Sequence, residues 1–367
     1  MKKATSLTKI ALQKFKKNFW GVFSLVFLTL CVLVAIFAYA IAPDNSRNAN
    51  QMHLSIHSKS PGFTTQILTI PSTVNEEEGI ITFFFGKPTT ASEVPISSYT
   101  LLDNGISIKE YTPDDTLGLE KEYKLSNFPK ANTVEEIPQH YLSDKKFLLG
   151  TDKYGRDLLS RMLIGIRISL AIGFVAVLIS LLIGIAMGAL AGYYGGKVDS
   201  IIMWIINVTW SIPTLLLVIA ITLALGKGFW QVFIAVGLTM WVEVARIVRG
   251  QVMGVKQMQY VTAARALGFK DFRIITKHIL PNIMAPVIII SAANFASAIL
   301  IESGLSFLGI GAQPPMPSWG GIIKDHYAYI ILGKPYLAII PGLAIMSLVT
   351  AFMLIGNALR DALDVKS

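Results

Sequence analysis

Six long apolar runs constrain what this chain can fold into more than any other feature. The runs cover residues 21–42, 168–192, 200–225, 229–249, 283–301 and 337–356. About 20 consecutive apolar residues in a helix cross the hydrocarbon core of a bilayer, and backbone polar groups in lipid must be satisfied within the segment. The runs therefore predict an all-α polytopic membrane protein with about six transmembrane helices.

The first run, residues 21–42, has two interpretations. Lysines precede it and Ala38-Tyr39-Ala40 resembles a cleavage site, as in a secretory signal peptide. The apolar core of such a signal is only about 7–15 residues long, which is shorter than this run. We therefore expect an uncleaved first transmembrane helix at 21–42, preceded by a basic cytoplasmic N-terminus at 1–20.

Charge is distributed unevenly along the chain. The formal net charge is +9, although only 15% of the residues are charged. Residues 43–157 contain sixteen Asp or Glu against eleven Lys or Arg, so the basic excess lies outside this segment. The basic runs lack the interleaved aromatic residues that stack on bases in nucleic-acid binding. The charge pattern therefore indicates membrane topology, and no nucleic-acid partner is expected.

Lys and Arg in short loops predict the orientation, because they are enriched on the cytoplasmic side of membrane proteins. With a cytoplasmic N-terminus, the short outer segments contain only Lys227, Lys324 and Lys334. The resulting segments are an extracytoplasmic insert at 43–157, a transmembrane core at 158–356 and a cytoplasmic C-terminus at 357–367. A further short or re-entrant helix between 302 and 337 is left open.

The insert contains strand-like stretches at residues 66–70, 79–85 and 105–108, which are rich in Ile, Thr and Phe and bounded by Gly, Pro or Asn. This pattern is typical of strands. Roughly 100 residues are enough for a modest core. We therefore predict a β-rich or α+β insert.

Residues 256–280 are too polar to span a membrane and too periodic for an irregular loop. The second half of the segment predicts an amphipathic helix that ends at Pro281. The basic face of this helix has Lys270, Arg273 and Lys277, and the opposite, apolar face has Phe272, Ile275 and Ile279.

The first half of the segment predicts a shorter helix, with Tyr260, Ala264 and Leu267 on one face. Gly268 fits the left-handed position that follows such a helix, so the whole segment is a predicted hairpin of two helices around a glycine turn. Two interpretations are open. The hairpin rests on anionic lipid, or it docks onto a cytoplasmic partner, with the small side chains of Ala263 and Ala264 permitting close approach.

Gly184, Gly188 and Gly192 lie four residues apart in the second span. Small residues on one stripe of a helix let another helix approach closely, and packing within the chain is favoured over a subunit interface. A proline interrupts three other spans, which predicts either kinks that line a pathway or tolerated bends. These prolines are Pro213, Pro286 and Pro341.

The sequence lacks the features of a nucleotide-binding or metal site. It contains no G-x-x-x-x-G-K-[ST] phosphate loop, so ATP binding by that device is not expected. None of its five histidines lies in a predicted span, and His53 and His57 have no evident third ligand. We predict no catalytic residue, no metal and no cofactor bound by this chain.

Several stretches carry a resemblance to a known family. Ala-Ala-Arg-Ala-Leu-Gly at 263–268, followed by His-Ile-Leu-Pro-Asn at 278–282, resembles the cytoplasmic signature loop of ABC-importer membrane subunits. Further stretches resemble the C-type permease subunit of the dipeptide, oligopeptide and nickel branch. They lie at 149–152 with 155–157, 166–169, 191–196, 245–249, 305–309, 317–320 and 358–364.

The resemblance implies a type I ABC-importer permease fold in the bacterial inner membrane. It implies a subunit, not an enzyme, that forms half of a translocation pathway for peptides or related small solutes. The implied partners are a second homologous permease, two ABC ATPase subunits, an extracytoplasmic substrate-binding protein and the lipid bilayer. ATP and Mg are used by the ATPase partners in this interpretation.

In that family the signature loop is a coupling helix that inserts into a cleft on the ATPase. The coupling residues implied here are Tyr260, Thr262, Ala263, Ala264, Leu267 and Gly268. The family signature begins Glu-Ala-Ala, and Thr262 occupies the Glu position. A threonine can form a hydrogen bond there but not a charge-assisted contact.

Two regions outside the spans have open roles. Residues 44–147 lie outside the resemblance and act either as a spacer or as a contact for the binding protein. Glu302, at the end of the fifth span, and Ser306 are candidate residues of the substrate pathway. Glu302 either receives the cationic end of a substrate or, the favoured alternative, caps nearby backbone amides.

An ion-driven secondary transporter is the alternative function. Such transporters have broken spans and usually internal repeats, and this chain has interrupted spans without an obvious repeat. A membrane-anchored sensor is a third class, but it leaves five spans and the hairpin without a role.

Overall fold

The computed structural model describes residues 7–71, 79–88, 91–112, 118–226 and 228–363. Parts of the predicted terminal segments (1–6 and 364–367) and Lys227 lie outside the described residues. The chain divides into two compact units. The helical unit comprises residues 1–32, 169–313 and 342–367, and the sheet unit comprises residues 33–168 and 314–341.

The N-terminal region forms three helices, α1 (Leu7–Lys17), α2 (Phe19–Ile36) and α3 (Ala38–Ile41). The predicted single helix at 21–42 is therefore corrected. The first long helix begins two residues earlier, where Asn18 Oδ1 accepts a hydrogen bond from Gly21 N at 3.0 Å and caps it. The helix ends at Ile36, because the ψ of 16° at Phe37 leaves the helical range. At 1.5 Å per residue, the 18 residues of α2 still reach about 27 Å.

The insert folds around a five-stranded antiparallel sheet in the order β4-β3-β2-β1-β5. The strands are β1 (Phe63–Ile70), β2 (Ser92–Leu102), β3 (Gly105–Glu110), β4 (Glu120–Lys124) and β5 (Leu142–Phe147). A two-residue turn at Asp103-Asn104 joins β2 to β3, as is common in hairpins. The predicted β-rich character of the insert is confirmed. Its core includes Leu68, Ile96, Ile106, Ile108, Phe128 and Ile137.

One of the three predicted strands is wrong. The stretches at 66–70 and 105–108 lie in β1 and β3, but the stretch at 79–85 contains a helix, α4 (Ile80–Phe85). A short apolar run does not distinguish a strand from a helix by periodicity. Here the ring of Phe83 packs edge-on against Phe37, with centroids 6.2 Å apart. A second short helix, α5 (Ile137–Tyr141), precedes β5.

The rest of the chain is mostly helical. In order they are α6 (Leu158–Tyr194), α7 (Gly196–Ser211), α8 (Thr214–Leu225), α9 (Phe229–Val255), α10 (Gln259–Ala266), α11 (Asp271–Arg273), α12 (Met284–Phe307), α13 (Trp319–His326) and α14 (Tyr336–Leu363). Within the described residues, five helical segments are long and apolar enough to cross a membrane, namely α2, α6, α9, α11 to α12, and α14. The pair α7 and α8 makes a sixth if it is one span. The predicted polytopic helical fold is confirmed.

The three interrupting prolines have different effects. Pro213 separates α7 from α8, and the two helices are bent by 94°. Pro341 lies inside the continuous helix α14, and Pro286 lies in the first turn of α12, where no intrahelical N–H is required. The short helix α13 lies in the segment 302–337, where the sequence left a further helix open.

The loop before α6 is held by a buried ion pair within the sheet unit. The guanidinium of Arg156 donates to Asp152 Oδ2 at 2.6 Å, and both side chains are almost fully buried. Gly155 has a φ of +73°, and a Cβ there would lie 1.8 Å from the carbonyl oxygen of His53. From α13, Trp319 Nε1 donates to the Met162 carbonyl at 3.0 Å. Asp152, Gly155, Arg156 and Trp319 belong to stretches that carry the family resemblance, and here they stabilise the fold.

Candidate functional site

Between α9 and α12 the chain forms a hairpin, residues 256–283. Helix α10 is followed by Gly268, whose φ is +78°, and the chain then re-enters helical structure at α11. From α11 it continues through π-helical turns (Ile274–Ile279) and a 3-10 turn (Leu280–Ile283) into α12. The predicted helix end at Pro281 is therefore wrong. Proline is tolerated in the first turn of a helical segment, so the second half of the hairpin is continuous with a membrane helix.

The buried side of the hairpin packs on α6 and α9. The hairpin contributes Val261, Ala264, Ile274, Ile275, Ile279 and Ile283, and the two helices contribute Ala189, Tyr193, Val244, Val248 and Val252. Most of these side chains are completely shielded from solvent. Close packing of this kind transmits displacement, because protein interiors are nearly incompressible. The hairpin is thus attached to two long helices and extends directly into a third.

Tyr193, at the end of α6, is the polar centre of this attachment. Its hydroxyl donates to Asp271 Oδ1 at 2.6 Å, and its carbonyl accepts a hydrogen bond from the Lys256 ammonium group. Arg265 donates to the Tyr193 hydroxyl at 3.5 Å and lies over its ring. The hydrogen bond with Tyr193 raises the pKa of Arg265 above its usual value. Tyr193 lies in the stretch 191–196 that carries the family resemblance, but the sequence did not show that it contacts the hairpin.

The outer side of the hairpin leaves large apolar side chains uncovered. Leu267 is 74% exposed and Phe272 is 77% exposed, and Met258 and Tyr260 are about half exposed. Large apolar side chains left exposed outside the spans are candidates for an interaction site. We call these four residues, with Thr262 and Ala263 between them, the outer face of the hairpin.

The predicted coupling residues divide between the two sides. Tyr260, Thr262, Ala263, Leu267 and Gly268 are exposed. Ala264 is only 4% exposed and packs inward beside Val261, so the expectation that Ala263 and Ala264 form one approach surface is corrected. The reason is helical spacing: Ala264 follows Val261 by three residues and shares its buried face.

The predicted apolar face of the second helix is also corrected. Ile275 and Ile279 are buried, as expected, but Phe272 points outward. The wider π-helical turns that begin at Ile274 change the register between α11 and the residues that follow. Phe272 therefore joins the outer face.

The glycine stripe of α6 packs against α9 within the helical unit. A Cβ on Gly184 would lie 2.5 Å from Val244 Cβ, one on Gly188 would lie 2.5 Å from the Ala245 carbonyl oxygen, and one on Gly192 would lie 2.8 Å from the Arg249 carbonyl oxygen. Distances below 3.0 Å leave no room for a side chain. The structure thus uses the stripe for packing inside the chain, which brings α6 close to the helix that supports the hairpin.

A cavity of about 300 Å³ lies where α7 and α8 bend and face α9 and α12. Its lining residues include Thr209, Trp210, Leu217, Thr239, Glu243 and Ser297. Glu243 lies near one end of the apolar run 229–249, but α9 continues to Val255. Glu243 is therefore near the middle of the helix, with its side chain exposed at the cavity.

The predicted pathway residues Glu302 and Ser306 lie elsewhere. Both are inside α12, which extends to Phe307, and both are buried. Ser306 Oγ donates to Glu302 Oε1 at 2.6 Å and accepts a hydrogen bond from Ala312 N at 3.1 Å. Glu302 therefore lies inside the helix and not at the end of the span. Capping of backbone amides is the alternative that the sequence favours, but the carboxylate accepts a hydrogen bond from the Ser306 hydroxyl. Its role in a pathway stays a prediction.

Two family models match the chain. The model described as "Binding-protein-dependent transport system inner membrane component" matches residues 181–366, which contain the hairpin, the cavity and the glycine stripe. The model described as "N-terminal TM domain of oligopeptide transport permease C" matches residues 6–61. All five strands of the sheet lie between the two matches.

Several similar proteins are named as permeases of transport systems. A glutathione transport system permease protein of Pectobacterium atrosepticum is 43% identical over 218 residues, which are 59% of this chain and 72% of that protein. A dipeptide transport system permease protein of Bacillus subtilis is 44% identical over 217 residues, which are 59% of this chain and 68% of that protein. Among solved structures, an inward-facing methionine ABC transporter shares 20% identity over 55% of this chain and 96% of that one, with a TM-score of 0.45.

Proposed function

The chain belongs to the family of binding-protein-dependent transport system inner membrane components, and on this premise we propose that its hairpin couples it to separate ATPase subunits. It is a C-type permease subunit of an ABC peptide importer. One observation carries the coupling proposal. The hairpin buries one side on α6 and α9 and leaves large apolar side chains uncovered on the other.

The proposed assembly contains several other polypeptides. This chain forms half of the translocation pathway, a second related permease forms the other half, and two ATPase subunits bind ATP and Mg²⁺. A soluble binding protein delivers the substrate. The relatives are named for glutathione and dipeptides, so we take short peptides as the substrate class. The N- and C-termini, with the hairpin, lie in the cytoplasm in this proposal, in keeping with the distribution of Lys and Arg.

The proposed mechanism uses the continuity between the hairpin and the spans. An ATPase that moves toward its neighbour on binding ATP displaces the outer face of the hairpin. Because the hairpin shares a packed core with α6 and α9 and extends into α12, the displacement moves these helices as a body. Rigid-body movement of packed helices is a common form of conformational switching. Alternation between inward- and outward-open pathways follows.

The turn at Gly268 gives a direct test. Its φ of +78° is unfavourable for other residues, while no atom lies within 4 Å of a Cβ built there. Gly268→Val therefore changes the conformation of the turn by backbone strain, at about 1–2 kcal/mol, without a clash in the core. We expect an assembled transporter that hydrolyses ATP but takes up little peptide, measured in proteoliposomes with purified binding protein.

Gly254→Val is the matched control. Gly254 is in the last turn of α9, has ordinary helical φ, and also has no atom within 4 Å of the position that a Cβ would occupy. This variant should retain coupled uptake. Wild-type uptake by Gly268→Val at normal assembly contradicts the proposed role of the hairpin.

A further inference from the structure

We propose that Glu243 is the acidic group of a pathway subsite that binds the ammonium group of the transported peptide. The inference rests on the proposed peptide-transport function and names the residue that recognises one end of the substrate. It is carried by the position of a carboxylate in the middle of a membrane helix, at an open cavity.

The charge of Glu243 is not neutralised by the part of this chain that the structure describes. Its side chain is exposed, and no described side chain lies within ion-pair or hydrogen-bond distance of its carboxylate. An ionised side chain within a span is costly and is retained where it faces water, a partner or a substrate. Glu243 therefore faces water or a group from outside this chain, and a substrate cation is one group that would neutralise it.

A cation lies one turn further along α9, and its guanidinium is bound to other side chains. Arg246 follows Glu243 by three residues, and its guanidinium stacks on the ring of Trp210 at 3.6 Å from the centroid. The same guanidinium donates to Asn207 Oδ1 at 2.7 Å. Arg246 is not among the residues that line the cavity, whereas Glu243 alone among the described lining residues is charged.

The rest of the lining suits an ammonium group. Thr209, Thr239 and Ser297 are hydroxyl-bearing residues of the cavity lining. Thr209 Oγ1 donates to the Ile205 carbonyl and Thr239 Oγ1 to the Val236 carbonyl, which leaves each hydroxyl oxygen able to accept. An ammonium group has three N–H donors to satisfy. One carboxylate oxygen and two of the three hydroxyl oxygens can accept these three N–H groups. Leu217 and Met240 add apolar wall, on which the peptide's carbon skeleton can pack. A volume of about 300 Å³ accommodates the first residue or two of a short peptide.

Glu302 does not compete for this role. It is fully buried and accepts a hydrogen bond from Ser306, whereas Glu243 opens onto the cavity. The cation-binding acid that the sequence suggested at Glu302 is therefore assigned to a different helix.

Charge-selective labelling tests the site without reference to any peptide. Ser297 is exposed at the cavity, so Ser297→Cys places a thiol there, in a Cys31→Ser background that removes the native cysteine. The assembled transporter is treated with a trimethylammonium methanethiosulfonate and, separately, with a sulfonate methanethiosulfonate of similar size. We expect the cation to react faster by about tenfold, after correction for free thiol, because a negative cleft concentrates cations. Glu243→Gln should remove this preference.

Transport supplies the second measurement. In proteoliposomes with the binding protein and ATPases, Glu243→Gln should raise the KM for trialanine by about tenfold, the order expected for loss of a charge-assisted hydrogen bond. Glu243→Asp, which keeps the charge, should recover part of the loss. Ser347→Ala, which removes an exposed hydroxyl of α14 that is not among the lining residues, should leave the KM unchanged.

The outcomes separate the two proposals. Equal labelling rates of the Ser297→Cys thiol in the assembled transporter that retains Glu243, or unchanged KM in Glu243→Gln, overturn the subsite. A preference for cations in the isolated subunit that disappears on assembly also overturns it, because a positive group of the partner permease then neutralises Glu243. Failure of the wild-type complex to take up any peptide contradicts the proposed function, while the labelling ratio still reports on Glu243.

Discussion

The hairpin and the five-stranded sheet both lie outside the predicted spans, but they obtain their cores differently. The sheet's buried residues, such as Leu68 and Ile106, pack with other residues of the sheet unit. The hairpin is too short for a core of its own, so its buried residues pack with α6 and α9 of the helical unit. The sheet is stabilised locally, whereas the hairpin is stabilised by the helices that it is proposed to move.

This difference separates two ways of attaching a segment to a membrane protein. A segment with a local core can loosen while the spans stay in place. A segment whose buried residues pack on the spans cannot move or unfold without disturbing the spans. A segment that transmits movement from an ATPase needs this property. Matched substitutions in the two regions should therefore have different consequences for the spans.

The largest expected effect comes from a pair of buried isoleucines. Ile279 in the hairpin and Ile106 in β3 are both completely shielded from solvent. Truncation to alanine should destabilise either region by about 2–5 kcal/mol through lost burial and a residual cavity. We expect Ile279→Ala to impair peptide-stimulated ATP hydrolysis strongly, and Ile106→Ala to leave it near wild type.

The measurements are hydrogen exchange of each region and ATP hydrolysis by the assembled transporter. Exchange should rise in α6, α9 and the hairpin for Ile279→Ala, and only in the strands for Ile106→Ala. Equal loss of coupled hydrolysis in both variants contradicts the distinction between local and shared cores.

The second effect is a pH dependence confined to the sheet. Glu93 on β2 lies 3.2 Å from His53 Nε2 and 2.8 Å from Lys145 Nζ. Burial by itself raises the pKa of Glu93, but the hydrogen bonds and charges of His53 and Lys145 outweigh it and lower the pKa to about 2. A depressed carboxyl pKa stabilises the fold above the unfolded value near 4.5, and this stabilisation is lost as the pH falls toward about 2.

The sheet should therefore lose up to about 3 kcal/mol of stability between roughly pH 5 and pH 2. Amide exchange of β1, β2 and β5, corrected for the intrinsic effect of pH, measures this loss. Glu93→Gln should flatten the dependence, while Glu122→Gln, which changes an exposed carboxylate of β4, should preserve it. An unchanged profile in Glu93→Gln rules out this pair as its source.

A smaller effect on stability is expected from two exposed leucines. Leu267 on the outer face of the hairpin is 74% exposed and Leu119 beside β4 is 65% exposed. Replacement by serine should change the stability of either region by no more than about 0.5 kcal/mol. Only Leu267→Ser should reduce co-purification of the ATPase subunits. Equal retention by both variants argues against the outer face as the ATPase contact.

The smallest expected effect on coupling comes from removal of the sheet itself. Phe63 and Phe147 pair directly across β1 and β5, so a short Gly-Ser linker can replace residues 64–146. We expect normal assembly and normal basal ATP hydrolysis. Uptake with the binding protein then decides the role of the insert: loss at normal assembly supports a docking contact, and normal uptake supports a spacer.

Much of the architecture was predictable because it depends on local composition. Five of the apolar runs correspond to helices or helix pairs with similar limits, and the strand-like stretches at 66–70 and 105–108 lie in strands. The stretch at 79–85 was predicted as a strand but contains a helix, because an apolar run without alternation has no periodicity that distinguishes a strand from a helix. The predicted helix in the second half of the hairpin was ended too early, at Pro281, because proline is compatible with the first turn of a new helical segment.

The candidate sites depended on which neighbour covers each face. Helical spacing places Val261 and Ala264 together, but only their packing against α9 shows that this side is the buried one. Likewise Glu243 lies within an apolar run and Glu302 directly follows one, and the sequence does not show which of the two faces a cavity. The structure opens the first onto a cavity and closes the second against Ser306.

By itself, the sequence determined that this chain is a polytopic membrane protein, that it resembles the importer permeases and that its longest extramembranous segment is β-rich. These properties follow from hydrophobic length, short motifs and local patterning, which are read along the chain. Tertiary structure decided which face of the hairpin is exposed, that the glycine stripe supports α9, and which acid meets the cavity. Those properties arise from contacts between helices far apart in sequence, and the pattern within one helix does not specify its neighbour.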